Sequence, residues 1–341
     1  MKLRTVGITG IGAHVPEQIL SNADLEQRHH VSDQWIRRRT GVVERRICTR
    51  EQATSDLAVP AARQALAAAG LRPEEVQFII TATMTPDHLW PSAGSTIQGR
   101  LGAVNAGACD LNAACSGFVY ALAVGTQLVR SGLYDNVLVI GADVISKFVD
   151  WTDPKTYLFG DGAGAVVLQP IADREEGLID FMLGSDGSRG DILQLPAGGS
   201  RRPSSHETLD QGLHRPVMDG YDTFEFAATA VMDSIEKVLA RTSYSIEDVD
   251  LIVPHQANQR LFRPVAKWLG ISVDKFFVNI ERYGNTVAAS VPIGLYEAVH
   301  RKRLKKGDLV VLTAFGAGLT WAGAVLRWTY SPNDGHEILH P

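Results

Sequence analysis

A chain of 341 residues with 45% hydrophobic and 21% charged side chains has the make-up of an ordinary globular protein, long enough for two domains or one large one. Its net charge of −5 gives no electrostatic reason to expect nucleic acid or an anionic membrane as partner. Cys48, Cys109 and Cys115 lack metal-site spacing or a disulfide pattern, and no apolar run approaches the roughly 18 residues of a membrane helix. The expectation is a reduced, cytoplasmic protein without a metal.

Along the chain, strand patterns fall at 4–10, 76–83, 136–142 and 163–169, with helix patterns at 56–69 and about 115–131. The second half repeats the theme, with strands at 177–183, 249–254, 308–314 and 321–328 and helices at 223–241, 258–268 and 286–302. Such alternation predicts an α/β fold. The halves also align at a nearly constant offset. Val76 and Val249 open similar strands (249 minus 76 is 173), as do Asn136 and Asp308 (308 minus 136 is 172). An internal duplication follows, with a first half at 1–172, a second at 173–330 and a polar tail at 331–341.

Cys115 lies where a strand pattern gives way to a helix pattern, among the small residues of Asn112-Ala113-Ala114-Cys115-Ser116-Gly117. A thiol at a helix start is favoured as thiolate and stays open to an acyl group; a core cysteine is the plain alternative. Adding the offset of 172 brings Cys115 to 287, beside Gly284-Asn285-Thr286. His255 follows the strand pattern Leu251-Ile252-Val253-Pro254, at the carboxyl end where open α/β sheets place ligands. Duplication thus supplies a reason for three distant reactive residues to meet. Gly10-Ile11-Gly12 is not a dinucleotide motif, because the third glycine position is Val15. Neither a Gly-Lys-Ser/Thr phosphate loop nor a G-x-S-x-G elbow is present.

Five runs, in order, carry a resemblance: Asn112–Phe118, Phe159–Gly164, Pro254–Asn258, Gly284–Pro292 and Phe315–Trp321. Together they resemble the β-ketoacyl-acyl carrier protein synthase III enzymes of the thiolase-like condensing superfamily, over nearly the whole chain. The resemblance implies a thiolase-like five-layered αβαβα fold and a homodimer. It implies decarboxylative condensation of an acyl-CoA with malonyl-acyl carrier protein or malonyl-CoA, without a cofactor. Cys115 would be the nucleophile, with His255 and Asn285 as hydrogen-bond donors to the enolate. Backbone N–H groups of Cys115 and Ala317 would form the oxyanion hole. Trp35, Arg39, Arg260 and Lys267 would receive coenzyme A or the carrier protein, and Phe159, Phe224 and Trp90 would shape the acyl pocket, Trp90 that of the partner subunit. Asn285, an amide rather than a carboxylate, favours decarboxylation over proton abstraction from an acetyl group.

The chain departs from the family pattern in places. Pro154 and Lys155 stand where a companion arginine is usual, and Glu225 and Trp268 where lysines are usual. Nucleotide binding and attraction for an acidic carrier would both weaken, which fits a specialised paralogue. The rival readings are a non-condensing acyltransferase, with His255 as general base for an oxygen or nitrogen nucleophile, and an inactive binding paralogue. The segment 198–217, rich in Gly, Arg, Pro, Ser and His, reads as a cover loop.

Overall fold

The computed structural model describes residues 3–29, 31–173 and 175–332. Its strands are β1 (Val6–His14), β2 (Ile19–Ser21), β3 (Glu44–Arg46), β4 (Phe78–Ala82), β5 (Gly107–Leu111), β6 (Val137–Asp143), β7 (Gly162–Pro170), β8 (Gly177–Ser185), β9 (Leu193–Gln194), β10 (Val217–Met218), β11 (Leu251–Pro254), β12 (Leu309–Gly316) and β13 (Thr320–Arg327). Two large sheets hold nine of them, in the orders β1-β7-β6-β4-β5 and β8-β13-β12-β11. The remainder form the small pairs β2/β3 and β9/β10.

The sheets follow one plan. In each, the first strand of the half pairs antiparallel with the last, the last pairs antiparallel with a central strand, and that strand pairs parallel with the next. Both first strands slip register once, at Thr9 in β1 and at Ile179 in β8. Only the fifth position differs: β5 pairs fully with β4, whereas the second sheet has a lone bridge between Ile252 and Phe276.

Between the sheets lie the helices Gly117–Arg130 and Ser290–His300, which carry apolar residues almost all round because both faces meet a sheet. Outside the first sheet, Thr54–Ala68 and Ala93–Leu101 make one outer layer; Gly220–Leu239 and Phe262–Leu269 cover the second. This is the thiolase-like five-layered α/β fold. The central strand β6 is buried along its whole length, and β12 likewise, which explains their unbroken apolar sequences. Each fully buried Val, Leu or Ile contributes about 1.5–3 kcal/mol. Gly10 and Gly12 serve packing: a Cβ at either would come within 2.2 Å of a carbonyl oxygen of the helix Thr54–Ala68.

Most sequence boundaries lie within a few residues of those observed. The expected helix at 286–302 begins later, after a 3-10 turn at Val287–Ala289, and the expected helix at 258–268 likewise follows a turn at Gln259–Leu261. The strand pattern expected before Cys115, given no bounds there, is the short strand β5, whereas the helices Asn22–His29, Asp33–Thr40 and Ala93–Leu101 had no sequence expectation. The tail expected at 331–341 lies outside the described residues beyond position 332.

Candidate active site

The chain leaves β5 and turns sharply before the helix Gly117–Arg130. The side-chain oxygen of Asn112 accepts the Ala114 N–H at 3.2 Å, and Ala114 takes a φ of 47°. A single 3-10 turn, Ala114–Ser116, then presents Cys115 at the helix start. Gly316, at the end of β12, runs directly against this turn. A Cβ there would lie 2.6 Å from the Cys115 nitrogen, so only glycine permits the approach. Thr320 ties the two segments: its hydroxyl is 2.6 Å from Ser116 Oγ and 3.0 and 3.1 Å from the carbonyl oxygens of Ala113 and Ala317.

The helix start alone would favour a thiolate at Cys115, but the structure reverses that expectation. Burial pushes the thiol up to about 12, and the carboxylate of Asp143 adds to the shift. In the resting site Cys115 is a neutral thiol within an apolar wall that includes Ile145, Val149, Phe159 and Val287.

His255 follows β11, and its own N–H donates to Thr313 at 2.8 Å. The next residue anchors the loop. The Gln256 main-chain N–H donates to Ser290 Oγ at 2.7 Å, and its side-chain amide donates to Pro254 and Phe277 carbonyls. Burial depresses the imidazole to about 3, so it is neutral near pH 7. Phe315 stands edge-on to it, with ring centroids 5.3 Å apart at 71°.

Asn285 is clamped by main-chain bonds on both sides, from its N–H to Leu158 at 2.7 Å and from the Gly160 N–H to its carbonyl at 3.0 Å. Its side-chain oxygen accepts the Val287 N–H at 2.9 Å, which leaves the amide N–H groups as the end available to a ligand.

Cys115, His255 and Asn285 all line one cavity of about 1310 Å³, together with Phe159, Phe224 and the Phe315–Thr320 loop. Ala317 keeps an ordinary negative φ, while Gly318 takes +137°. Trp35, Arg39 and Arg260 stand at the cavity mouth and also border an adjoining depression of about 760 Å³ with Arg38. The Arg39 guanidinium packs over the Trp35 ring at 5.1 Å, and that of Arg260 over Phe224 at 5.7 Å. Pro154 and Lys155 border the same mouth. Two expected residues lie elsewhere. Lys267 is exposed on its helix outside the cavity lining, and Trp90 projects away from the chain, 81% exposed.

The antiparallel pair β9/β10 closes the base of an excursion covering most of the expected cover loop; Leu195, Pro216 and Met218 border the cavity, and Arg215 pairs with Asp150 across its rim. Sequence reading passed over Asp143, which hides at the end of a plain strand pattern; Ser290, Phe315 and Thr320 fall in runs that carry the family resemblance but had no role of their own. Among the described residues, no group of three His, Cys, Asp or Glu side chains is arranged to hold a metal ion, and no helix is long and apolar enough to cross a membrane.

The models for 3-oxoacyl-[acyl-carrier-protein] synthase III match at residues 109–187 and, for its C-terminal part, 239–328. The beta-ketoacyl-[acyl-carrier-protein] synthase III of Caldanaerobacter subterraneus is 48% identical over 95% of this chain and 98% of its own. The chain belongs to the 3-oxoacyl-[acyl-carrier-protein] synthase III family. This chain, like its family, is a condensing enzyme of the acyltransferase class. Among solved structures, 3-oxoacyl-(acyl carrier protein) synthase III of Pseudomonas aeruginosa superposes with a TM-score of 0.88 at 42% identity, over 96% of this chain and 99% of that one. The priming β-ketosynthase of the R1128 polyketide pathway gives a TM-score of 0.89 at 31% identity, over 97% and 98%.

Proposed function

We propose that Cys115, His255 and Asn285 carry a two-step condensation of an acyl-CoA with a malonyl thioester. The supporting observation is that side chains from both halves of the chain line one cavity, with the main chain of Gly316, Ala317 and Gly318 beside them. In the first step the Cys115 sulfur bonds to the acyl carbon, coenzyme A leaves as thiolate, and the thiol proton passes to it with neutral His255 as relay. The oxyanion forms against the backbone N–H groups of Cys115 and Ala317; one such donor is worth about 2.7–4 kcal/mol in acyl transfer.

In the second step the bond between the malonyl carboxylate and its α-carbon breaks, releasing carbon dioxide. His255 and Asn285 donate to the thioester oxygen that takes up the charge. A neutral imidazole and an amide suit this task, since neither requires a buried counter-charge. The α-carbon then bonds to the acyl carbon and the Cys115 sulfur departs, later to regain its proton.

Trp35, Arg39 and Arg260 would hold the nucleotide end of coenzyme A or the phosphopantetheine of a carrier protein, by stacking and by charge. Lys267 and exposed Trp268 would meet the carrier outside the cavity. Glu225, also exposed, would oppose an acidic carrier. A homodimer belongs to the same reading: Leu89 and Trp90 stand 74% and 81% exposed, as residues that complete a partner's acyl pocket would.

Intact-mass measurement after exposure to acyl-CoAs tests the first step: one acyl increment is expected, absent in Cys115→Ala. Carbon dioxide release from malonyl-CoA and malonyl-carrier protein tests the second. An acylated enzyme that releases none, and passes its acyl group to an alcohol or amine, would replace this reading with the non-condensing one.

A further inference from the structure

Asp143 is fully buried at the end of β6, against the turn that follows Asn285, and the mechanism above gives it no task. Its Oδ1 accepts from Thr83 Oγ1 at 3.1 Å, from Thr85 Oγ1 at 2.9 Å, and from the N–H groups of Met84 and Thr85 at 2.9 and 3.2 Å. Its Oδ2 accepts the N–H of Ala288 at 3.0 Å. A buried carboxylate needs such a set of donors, and here all are neutral.

The Ala288 donor has a counterpart. Ala114 and Val287, 173 positions apart (287 minus 114), share a positive φ at the same point of the two repeats, 47° and 53°. The following residues are Cys115 and Ala288. The N–H of Cys115 is the donor assigned above to a passing oxyanion; the N–H of Ala288 points at a permanent one.

We propose that Asp143 is a positioning residue that fills the second turn's anion hole and locks the Asn285 turn against the Thr83–Thr85 wall. The inference rests on the proposed roles of Cys115 and Asn285. Gly141 explains why the lock is tight: with no side chain there, β6 passes against Ala288, and a Cβ would come 2.4 Å from that carbonyl oxygen. Met84 and Thr85, held by the same carboxylate, line the cavity. Among the described residues, Asp143 is the charged group that acts on the Cys115 thiol; His255, across the cavity, is neutral, and no lysine or arginine acts on Asp143. Burial raises the carboxyl itself to about 6, against the pull of its donors.

The test uses the intact enzyme with acetyl-CoA and malonyl-CoA as probes. Asp143→Asn removes the charge at constant size. Acetyl uptake should stay within a few-fold, while condensation falls about tenfold or more through the loosened Asn285 turn. Thr83→Val keeps the carboxyl but removes one donor, so the acidic limb of condensation moves to higher pH. Condensation retained in Asp143→Asn, or equal loss of acylation and condensation, overturns the proposal. Should that variant not fold, an unmoved acidic limb in Thr83→Val does so. Failure of the wild type to take up an acyl group at Cys115 would instead defeat the reading of the site itself.

Discussion

Asn112 and Asn285 make the same hydrogen bond 173 positions apart: each side-chain oxygen accepts the N–H of the residue two places on, at 3.2 and 2.9 Å. Both bonds stabilise a residue of positive φ, Ala114 in one case and the β-branched Val287 in the other, where L-residues rarely sit. The two turns are therefore one device used twice. Only the load differs, since the first delivers a thiol and the second delivers the amide of Asn285 itself.

Asn285→Asp retains the side-chain oxygen that holds the turn but replaces the amide donor with a second acceptor. Acyl loading of Cys115 should persist, whereas condensation should fall by about a hundredfold, the loss expected for one donor to a developing oxyanion. Parallel measurement of acyl uptake by mass and carbon dioxide release from malonyl-CoA separates the two.

Gly316→Ala places a methyl group 2.6 Å from the Cys115 nitrogen. The backbone must retreat, at a cost of about 1–3 kcal/mol in stability. Acylation should fall further than stability does, by about a hundredfold, because the displaced strand end carries the loop proposed to hold the oxyanion. Denaturant unfolding and acyl-uptake rates on the same preparation check both.

Thr320 joins the Cys115 turn to the 316–318 loop through one hydroxyl. Thr320→Val should lower the maximal acylation rate about tenfold, equivalent to the ~1.4 kcal/mol of one hydrogen bond, with little change in KM for the acyl-CoA. Thr320→Ser should recover most of the rate. Steady-state and single-turnover acylation kinetics of the pair would distinguish lost positioning from lost packing.

His255 carries a consequence for stability. Its folded-state value is depressed to about 3 against an ordinary 6.5, so below pH 6.5 the unfolded chain binds a proton that the native one refuses. Stability from this group is complete above pH 6.5 and is lost as pH falls towards 3. Between pH 7 and pH 5 the loss amounts to about 2 kcal/mol. His255→Asn should show a correspondingly smaller difference between unfolding measured at pH 7 and at pH 5.

The elements that were legible in the sequence are those buried on both faces. β6, β12 and the two central helices leave unbroken apolar runs, and their matched spacing revealed the repeat. β5 was legible only as an unbounded strand pattern before Cys115, because Gly107-Ala108-Cys109-Asp110-Leu111 is an edge strand of half-buried and exposed residues. Cys115 was singled out through its flanking small residues, Asn285 through the common offset and His255 through its place after a strand pattern, with the family-like runs suggesting their roles. The ionisation of Cys115 was not legible, because a helix start argues for a thiolate and only three-dimensional burial reverses the sign. Asp143 reads as the last residue of a strand, and nothing local reveals that its oxygens reach Ala288.

Two copies of a half-length ancestor, placed face to face, would have carried identical loops: two sulfurs, or two amides, never one of each. Covalent fusion lets either loop mutate without its twin. The division of labour proposed for the two turns is thus open to a single polypeptide, and severing it between the repeats leaves neither fragment with both the Cys115 turn and the Asn285 turn.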